Sequence, residues 1–263
     1  MKDFKKHWPS LSKKISGKHI FLFCDFDGTL TPIKKHPSDV KLKEKTKTTL
    51  KELNKHCVLS VVSGRDLKTL KKLVGLQGLI YAGNHGVEMS GPGFTLESQA
   101  LKKAKPLFKK IGTQLKKEIG SVKGLHLEPK GLALGIHYRQ VALSKQDEVV
   151  KKTKTILAPY IKKKRVELLA GKKVLEYRYA KLWNKGDAVK WVLKQASGRN
   201  NIIFYLGDDV TDEKAFGVLA KRKNAYTIRV GKPKPTKATY RLDTVGEVER
   251  FLTNLLNLTK QEE

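Results

Sequence analysis

The chain of 263 residues has little cysteine, few acidic residues and no long apolar run. Its two cysteines, Cys24 and Cys57, each lie within an apolar segment. We therefore expect buried thiols in a reducing compartment and no disulfide. The absence of any run of about 18 apolar residues excludes a membrane-spanning helix. The N-terminal sequence MKDFKKHWPSLSKKISGK is charged and lacks the apolar region of a secretory signal, so we expect a cytoplasmic protein.

Acidic residues are so few that the formal net charge is +30, with 55 Lys and Arg against 25 Asp and Glu. Such a charge fits either nucleic-acid binding or a lysine-rich solvated surface. The lysines are spread along the chain, and the sequence has no zinc-finger spacing, no basic helix with heptads and no aromatic-rich basic strand pair. We favour the solvated surface, expect no specific nucleic-acid partner, and expect the charge to attract anionic ligands such as a phosphorylated substrate.

Short apolar segments alternate with amphipathic segments along most of the chain. Strands are predicted at residues 19–24, 57–62, 79–82, 202–206 and 226–230. Helices are predicted at residues 42–55, 66–73, 185–195, 212–220 and 245–256. Strands that are apolar throughout are typical of a parallel sheet with helices on both faces, so the sequence predicts an α/β fold.

The middle of the chain has a different pattern. A lysine-rich amphipathic helix is predicted at residues 101–118, after the turn-forming sequence GPGF at residues 91–94. Residues 132–139 and 174–178 alternate apolar and polar side chains, as half-exposed antiparallel strands do. We therefore expect an inserted α+β domain at residues 93–179, within a core domain formed by residues 1–92 and 180–263.

Two acids, Asp25 and Asp27, follow the first predicted strand in the sequence FLFCDFDGTLTPI. Catalytic groups of open parallel sheets lie beyond the carboxyl ends of the strands. Two carboxylates so close together ionise at low cost only when a cation lies between them. Mg²⁺ is the natural cation for an all-oxygen site that phosphate oxygens complete. Taken alone, the pair also fits a strand-ending turn or a helix N-cap.

Three further stretches place polar groups at strand ends or helix starts. Ser63 and Gly64 follow the second predicted strand, where a hydroxyl and a backbone N–H can hold phosphate oxygens. Lys185 begins a predicted helix, where the ammonium and the helix dipole both favour a phosphate. Three acids within five residues follow another strand, a spacing that fits a metal site and also helix capping: Asp208, Asp209 and Asp212.

These stretches together resemble the motifs of the haloacid dehalogenase superfamily of phosphotransferases. The shared pattern is D-x-D-G-T-L after a strand, a serine after the next strand, a lysine, and G-D-D-x-x-D. The resemblance implies a haloacid-dehalogenase-like, Rossmann-type parallel-sheet core with an inserted α+β cap domain. It also implies that Asp25 is the nucleophile, which forms an aspartyl-phosphate. Asp27 is then the general acid in the first step and the general base in the second.

The same resemblance implies the remaining roles. Ser63 and Lys185, with Gly64 beside them, are expected to bind the phosphoryl group. The expected ligands of Mg²⁺ are Asp25, the backbone carbonyl of Asp27, and Asp208. Two further acids are expected to orient the metal ligands and the lysine: Asp209 and Asp212.

The substrate is indicated by motifs that are similar to those of trehalose-6-phosphate phosphatases. They are GNHGVE at residues 83–88, LEPKGLALGIHYR at 127–139, GKKVLEYR at 171–178 and GDDVTDEKAF at 207–216. The resemblance implies hydrolysis of trehalose 6-phosphate, a small sugar phosphate, and we expect a monomer without a membrane partner. Two alternatives stay open. One is a phosphatase of sucrose 6-phosphate or mannosyl-3-phosphoglycerate, and the other is a non-catalytic domain that binds sugar phosphates or polyanions.

The family motifs also imply residues that contact the sugar. Glu176 and one of two lysines, Lys172 or Lys173, are expected to hydrogen-bond sugar hydroxyls, because adjacent lysines leave the register of the motif open. Without the family, Glu176 fits an exposed ion pair with Arg178 or a neighbouring lysine equally well.

Three more residues complete the expected substrate site. Arg139 fits either a contact with the sugar or a brace for Glu128. Asn84 and His85 follow a core strand and are expected to line the active-site cleft. A turn is the alternative role for Asn84.

Overall fold

The computed structural model describes residues 1–15, 17–129, 132–171, 173–180, 182–195 and 201–261, without the side chains of residues 37 and 169–171. The chain divides into two compact units. One consists of Met1–Leu96 and Trp183–Glu263, and the other of Glu97–Leu182. No helix within the described ranges combines the length and the apolar character needed to cross a bilayer.

The described residues form thirteen strands and eight helices. The strands are β1 Lys2–Asp3, β2 His19–Asp25, β3 Cys57–Val62, β4 Ile80–Gly83, β5 Glu88–Gly91, β6 Phe94–Glu97, β7 His126–Pro129, β8 Ala133–His137, β9 Val166–Gly171, β10 Val174–Tyr179, β11 Asn201–Gly207, β12 Ala225–Val230 and β13 Tyr240–Leu242. The helices are α1 Phe4–Ile15, α2 Glu44–His56, α3 Leu67–Val74, α4 Gln99–Ile119, α5 Leu143–Lys162, α6 Lys185–Gln195, α7 Glu213–Leu219 and α8 Val245–Lys260.

The first unit is built on a sheet with the strand order β1-β13-β12-β11-β2-β3-β4-β5-β6. The strands from β1 to β4 in this order are parallel, and β5 pairs antiparallel with β4. All ten strands and helices predicted outside the middle segment are present, with ends shifted by at most four residues. The predicted α/β class is therefore confirmed.

Strand β2 lies at the centre of this sheet, between β3 and β11. Its side chains alternate between two apolar cores, with Ile20, Leu22 and Cys24 in one and Phe21 and Phe23 in the other. Helices α1, α2, α3 and α8 cover the first core, and α6 and α7 cover the second. Burial of both faces explains why β2 is apolar along its whole length. Cys24 and Cys57 are free thiols, as predicted, and Cys24 is buried whereas Cys57 is only half-buried.

The second unit consists of helices α4 and α5 and the antiparallel sheet β7-β8-β10-β9. The alternation predicted for β10 is confirmed, because Leu175 and Tyr177 are buried whereas Arg178 is exposed. This unit begins at residue 97 and not at the expected residue 93. Phe94 packs on Trp191 in the first unit, with ring centroids 4.9 Å apart, and its strand β6 extends the large sheet.

Candidate active site

A cavity of about 390 Å³ opens in the first unit beside the carboxyl ends of β2 and β3. Seven of the residues expected from the sequence line it: Asp25, Asp27, Ser63, Gly64, His85, Lys185 and Asp209. Parallel strands carry their ends to one edge of the sheet, which is why residues so distant in sequence meet here.

Lys185 lies at the base of this site and is buried, with 2% of its side chain exposed. Its ammonium donates hydrogen bonds to Asp25 Oδ1 at 2.6 Å and to Asp212 Oδ1 at 2.8 Å. Burial alone would lower the pKa of Lys185, but the two carboxylates outweigh it and raise this pKa above its usual value. Lys185 is therefore a fixed positive charge. The hydroxyl of Tyr205, which the motifs do not point to, donates to Asp212 Oδ1 at 2.8 Å.

Three carboxylates of the site form a cluster that fits a divalent cation. Asp25, Asp208 and Asp212 each place an oxygen atom within 4.8 Å of the others. Burial, together with the neighbouring acids, raises the pKa of Asp25 well above its usual value although Lys185 opposes the shift. Burial also raises the pKa of Asp208. A cation between these groups would favour their ionised forms, and an all-carboxylate donor set suits Mg²⁺.

Gly28 makes room for the acid cluster. Its φ of +86° lies in the left-handed region, and a Cβ at this position would be 2.2 Å from Asp208 Oδ2. The backbone N–H of Gly28 donates to the carbonyl of Thr31 at 2.7 Å, which closes the turn after Asp27. Only glycine satisfies both the conformation and the close approach of Asp208.

Asp27 is bound by Arg65, a site residue that the motifs do not single out. Arg65 Nε donates to Asp27 Oδ2 and Nη2 donates to Oδ1, each at 2.7 Å, so the pairing is bidentate. The hydrogen bonds from this guanidinium to Asp27 raise the pKa of Arg65. The backbone N–H of Arg65 donates to Ser63 Oγ at 3.2 Å. The available signal is an arginine directly after Ser63 and Gly64 in VVSGRD, at the end of a buried strand.

The turn after β4 brings His85 into the cavity. Asn84 and His85 have φ values of +48° and +60°, and the N–H of His85 donates to the carbonyl of Ser63 at 2.8 Å. A Cβ on Gly64 would be 2.6 Å from Cε1 of His85, so a larger residue at this position would displace the His85 ring. The side chain of Asn84 donates to Glu88 Oε2 at 2.6 Å, and Asn84 is not among the residues that line the cavity.

Asp209 and Asp212 form a capping box around the short 3₁₀ turn Val210–Asp212. The N–H of Asp209 donates to Asp212 Oδ2 at 3.0 Å. Helix α7 begins at the next residue, and the Asp212 side chain makes no capping hydrogen bond to it. The carboxylate of Asp212 is thus oriented by Asp209, Lys185 and Tyr205 together.

The expected sugar-binding residues lie in the second unit. Lys173 Nζ donates to Gln146 Oε1 at 2.7 Å and lies 5.8 Å from the centre of the Tyr138 ring. Lys173 and Arg139 both line a cavity of about 500 Å³, which Glu176 does not line. Glu176 is on β10, opposite Gly135 of β8. Lys172 lies outside the described residues.

One ion pair and one hydrogen-bond contact bear on the alternatives for the polar side chains of this sheet. Arg178 forms an ion pair with Glu167 on the neighbouring strand β9. His137 Nε2 lies within hydrogen-bond distance of Glu128 Oε2, at 2.8 Å.

Comparisons with known proteins agree with this geometry. The family model described as trehalose-phosphatase matches residues 23–245. Probable trehalose-phosphate phosphatase 4 of Oryza sativa subsp. japonica is 34% identical over 265 residues, which cover 96% of this chain and 71% of the relative. The structure of Aspergillus fumigatus trehalose-6-phosphate phosphatase (crystal form 3) superposes with a TM-score of 0.72 at 27% identity, covering 95% of this chain and 97% of that one. A haloacid dehalogenase-like hydrolase from Bacteroides thetaiotaomicron shares the fold, with a TM-score of 0.58, 13% identity and coverage of 90% and 99%.

Proposed function

The chain belongs to the trehalose-phosphatase family of phosphoric monoester hydrolases, and on this premise we propose that it hydrolyses trehalose 6-phosphate to trehalose and phosphate through an aspartyl-phosphate. The observation that carries the proposal is the buried Lys185 between Asp25 and Asp212, at a cavity that Asp27 and Ser63 also line. A nucleophilic carboxylate, a fixed cation and a second carboxylate in one cavity are the groups that this reaction needs.

Asp25 attacks phosphorus in the first step, and the bond between phosphorus and the sugar oxygen breaks. Asp27 gives its proton to that oxygen, so that the sugar leaves as an alcohol. In the second step Asp27 removes a proton from water, which attacks phosphorus and releases phosphate and Asp25. Ser63, the Gly64 N–H and Lys185 bind the phosphoryl oxygens and offset their charge as the anionic nucleophile approaches.

The acid cluster supports a role for Mg²⁺, held by Asp25, the backbone carbonyl of Asp27, and Asp208. The bound ion supplies positive charge that offsets the phosphoryl oxygens. Asp209 and Asp212 would orient these ligands, and the hydrogen bond from Tyr205 keeps Asp212 in place. The raised pKa values of Asp25 and Asp208 support the assignment, because a cation bound between these carboxyl groups would favour their ionised forms.

Sugar selectivity is assigned to the second unit, residues 97–182, as the proposed cap domain. Lys173 is oriented by Gln146 and Tyr138 and shares a cavity with Arg139, which supports a role for both in binding sugar hydroxyls. Glu176 faces away from the core on β10 and offers a carboxylate acceptor. His85 lines the cavity of the first unit and would contact the substrate there, with Asn84 holding the turn beside it.

The decisive experiment measures phosphate release from a panel of sugar phosphates with Mg²⁺. Trehalose 6-phosphate is expected to be the best substrate, and Asp25→Asn is expected to abolish its turnover. Mass spectrometry after a rapid acid quench should find a phosphoryl group on Asp25 of the wild-type enzyme.

If trehalose 6-phosphate is inert while sucrose 6-phosphate or mannosyl-3-phosphoglycerate is hydrolysed, the substrate assignment is wrong and the phosphatase assignment stands. Absence of all phosphatase activity would contradict both.

A further inference from the structure

Helix α4 of the second unit carries seven lysines, and six of them form three adjacent pairs: Lys102, Lys103, Lys109, Lys110, Lys116 and Lys117. All six are exposed. Successive pairs are seven residues apart, which is close to two helical turns, so the pairs form two rows along one face. At 1.5 Å per residue each row is about 21 Å long. We call this surface the α4 lysine face.

The packing of α4 fixes the α4 lysine face toward solvent. The apolar stripe of the helix lies in the core of the unit: Leu101, Ala104, Phe108, Ile111, Leu115 and Ile119. Ser98 caps the helix by accepting a hydrogen bond from the N–H of Leu101. Because its apolar side is already buried, the helix has none left to insert into a bilayer, unlike an interfacial membrane helix.

The charge of the α4 lysine face is not neutralised within the unit. None of the six lysines has an acidic residue three or four positions away, where a helical ion pair forms. Of the nearby acids, Glu97 accepts a hydrogen bond from Lys105, and Glu118 interacts electrostatically with Lys152. Among the described residues, no ion pair involves the six lysines. Residues 97–182 hold 22 basic against 7 acidic residues, so one third of the chain carries half of the net charge.

From this surface we infer that the chain binds the phosphate backbone of duplex nucleic acid, without reading its sequence, through the α4 lysine face. A rigid row of charges about 21 Å long is complementary to a stiff, regularly charged polyanion. The face presents no arginine and no aromatic side chain, which are groups that read or stack on bases. Lysine ammonium groups contact phosphates as point charges, which positions a duplex without selecting a sequence.

The test measures binding of the full chain to a fluorescently labelled 20-base-pair DNA duplex by anisotropy, at several salt concentrations. Six phosphate contacts predict a slope of log K against log salt of about −5, and a fall in affinity of about 10³-fold between ~50 and 200 mM salt. One variant replaces the six lysines of the α4 lysine face by glutamine. The matched control replaces six exposed helical lysines of the first unit: Lys13, Lys14, Lys45, Lys51, Lys71 and Lys72. Both variants lose the same charge.

The α4 variant should lose about 10²-fold or more in affinity at ~50 mM salt and most of the salt slope, whereas the control should change less than threefold. Two duplexes of unrelated sequence should bind equally.

Equal losses in both variants would show that net charge alone acts and would overturn the inference, as would a wild-type chain that does not bind. Tighter binding to anionic lipid vesicles than to the duplex would overturn the choice of partner. Circular dichroism and sugar-phosphate hydrolysis, unchanged in both variants, establish folding and separate this outcome from a failure of the proposed activity.

Discussion

Two cationic side chains bind different acidic residues of the site. Lys185 binds Asp25 and Asp212, and Arg65 binds both oxygens of Asp27. Under the proposed mechanism, Arg65 acts through Asp27, because the bidentate pairing fixes the plane of the carboxylate that moves the proton. The side chain of Asp27 is 34% exposed, and without Arg65 it would be free to rotate.

Replacing Arg65 by alanine is therefore expected to lower kcat for the sugar phosphate by about 10- to 100-fold, part of the contribution of a general acid, with little change in KM. In an Asp27→Ala background the same replacement should have no further effect, since the residue through which it acts is gone. Steady-state kinetics of the four enzymes measures this coupling. Arg65→Lys keeps the charge but not the bidentate geometry, and should restore only part of the rate. Equal losses in both backgrounds would instead indicate a direct contact between Arg65 and the phosphate.

Two buried tyrosines offer a matched pair for stability. Tyr177 and Tyr205 are both 0% exposed, but the hydroxyl of Tyr205 donates to Asp212 whereas that of Tyr177 has no hydrogen-bond partner among the described residues. Tyr177→Phe removes a buried unsatisfied group and should leave the free energy of unfolding unchanged or raise it by about 1 kcal/mol. Tyr205→Phe should lower it by about 1–2 kcal/mol, because Asp212 loses a donor. Denaturant unfolding of both variants measures the difference, and a destabilised Tyr177→Phe would contradict the assignment.

At the scale of single elements, the first turn of α8 concentrates charge. Thr244 caps the helix by accepting a hydrogen bond from the N–H of Glu247. Glu247 in turn accepts hydrogen bonds from the N–H of Asp243 at 2.6 Å and from Lys5 Nζ at 2.7 Å. Burial alone would raise the pKa of Glu247, but these hydrogen bonds and the charges of Lys5 and Arg250 lower it below its usual value.

The lowered pKa of Glu247 predicts a pH dependence of stability. A carboxyl group whose folded pKa is depressed stabilises the protein above its unfolded pKa, about 4.3, and this contribution is lost as pH falls through the folded value. Glu247→Gln should therefore lower the melting temperature at pH 7 and have a smaller effect at pH 3. Thermal unfolding at the two pH values tests this, with the exposed Glu44→Gln as control. An equal effect of Glu247→Gln at both pH values would show that its charge is not the cause.

Helices and strands with a strong apolar pattern are predictable from the sequence, whereas those with few apolar residues among polar ones are not. Strands β2, β3 and β11 are buried on both faces, so their sequences contain little else than apolar residues. Helix α1 keeps only three buried positions among its lysines: Phe4, Leu11 and Ile15. Helix α5 similarly buries few residues, and strands β1, β5, β6 and β13 have two to four residues each. Such short or polar elements are set by neighbours that a local pattern does not contain.

The same distinction applies within the site. Asp25, Ser63, Lys185 and Asp208 follow strands or begin helices, and the sequence places them at one edge of the sheet. The partner of Asp27 was not predictable in this way, because the contact with Arg65 joins two neighbouring loops and depends on side-chain conformation. Tyr205 was similarly not predictable, because the sequence shows only an aromatic residue in a buried strand and not its hydrogen bond to Asp212.

At the scale of the whole molecule, the second unit is continuous in sequence and the first is not. Residues 97–182 have their own apolar core and their own sheet. A fragment of residues 97–182 is therefore expected to fold alone and to melt cooperatively, as its size allows. The fragment 1–96 should not fold, because it lacks β11 and the helices α6 and α7, which cover one core. Circular dichroism with thermal melting distinguishes the two fragments. An unfolded spectrum for residues 97–182 would show that this unit depends on the rest of the chain.

The central position of β2 has a consequence for biosynthesis. Its neighbour β11 begins 176 residues after β2 ends. At about 5–20 residues per second, a ribosome needs roughly 9–35 s to supply that strand. During this interval the segment that holds Asp25 has one unpaired edge, and the whole inserted unit, residues 97–182, is synthesised before β11. Nascent chains therefore expose this unpaired strand edge until β11 has been synthesised, and this makes the segment around β2 a natural client of a molecular chaperone.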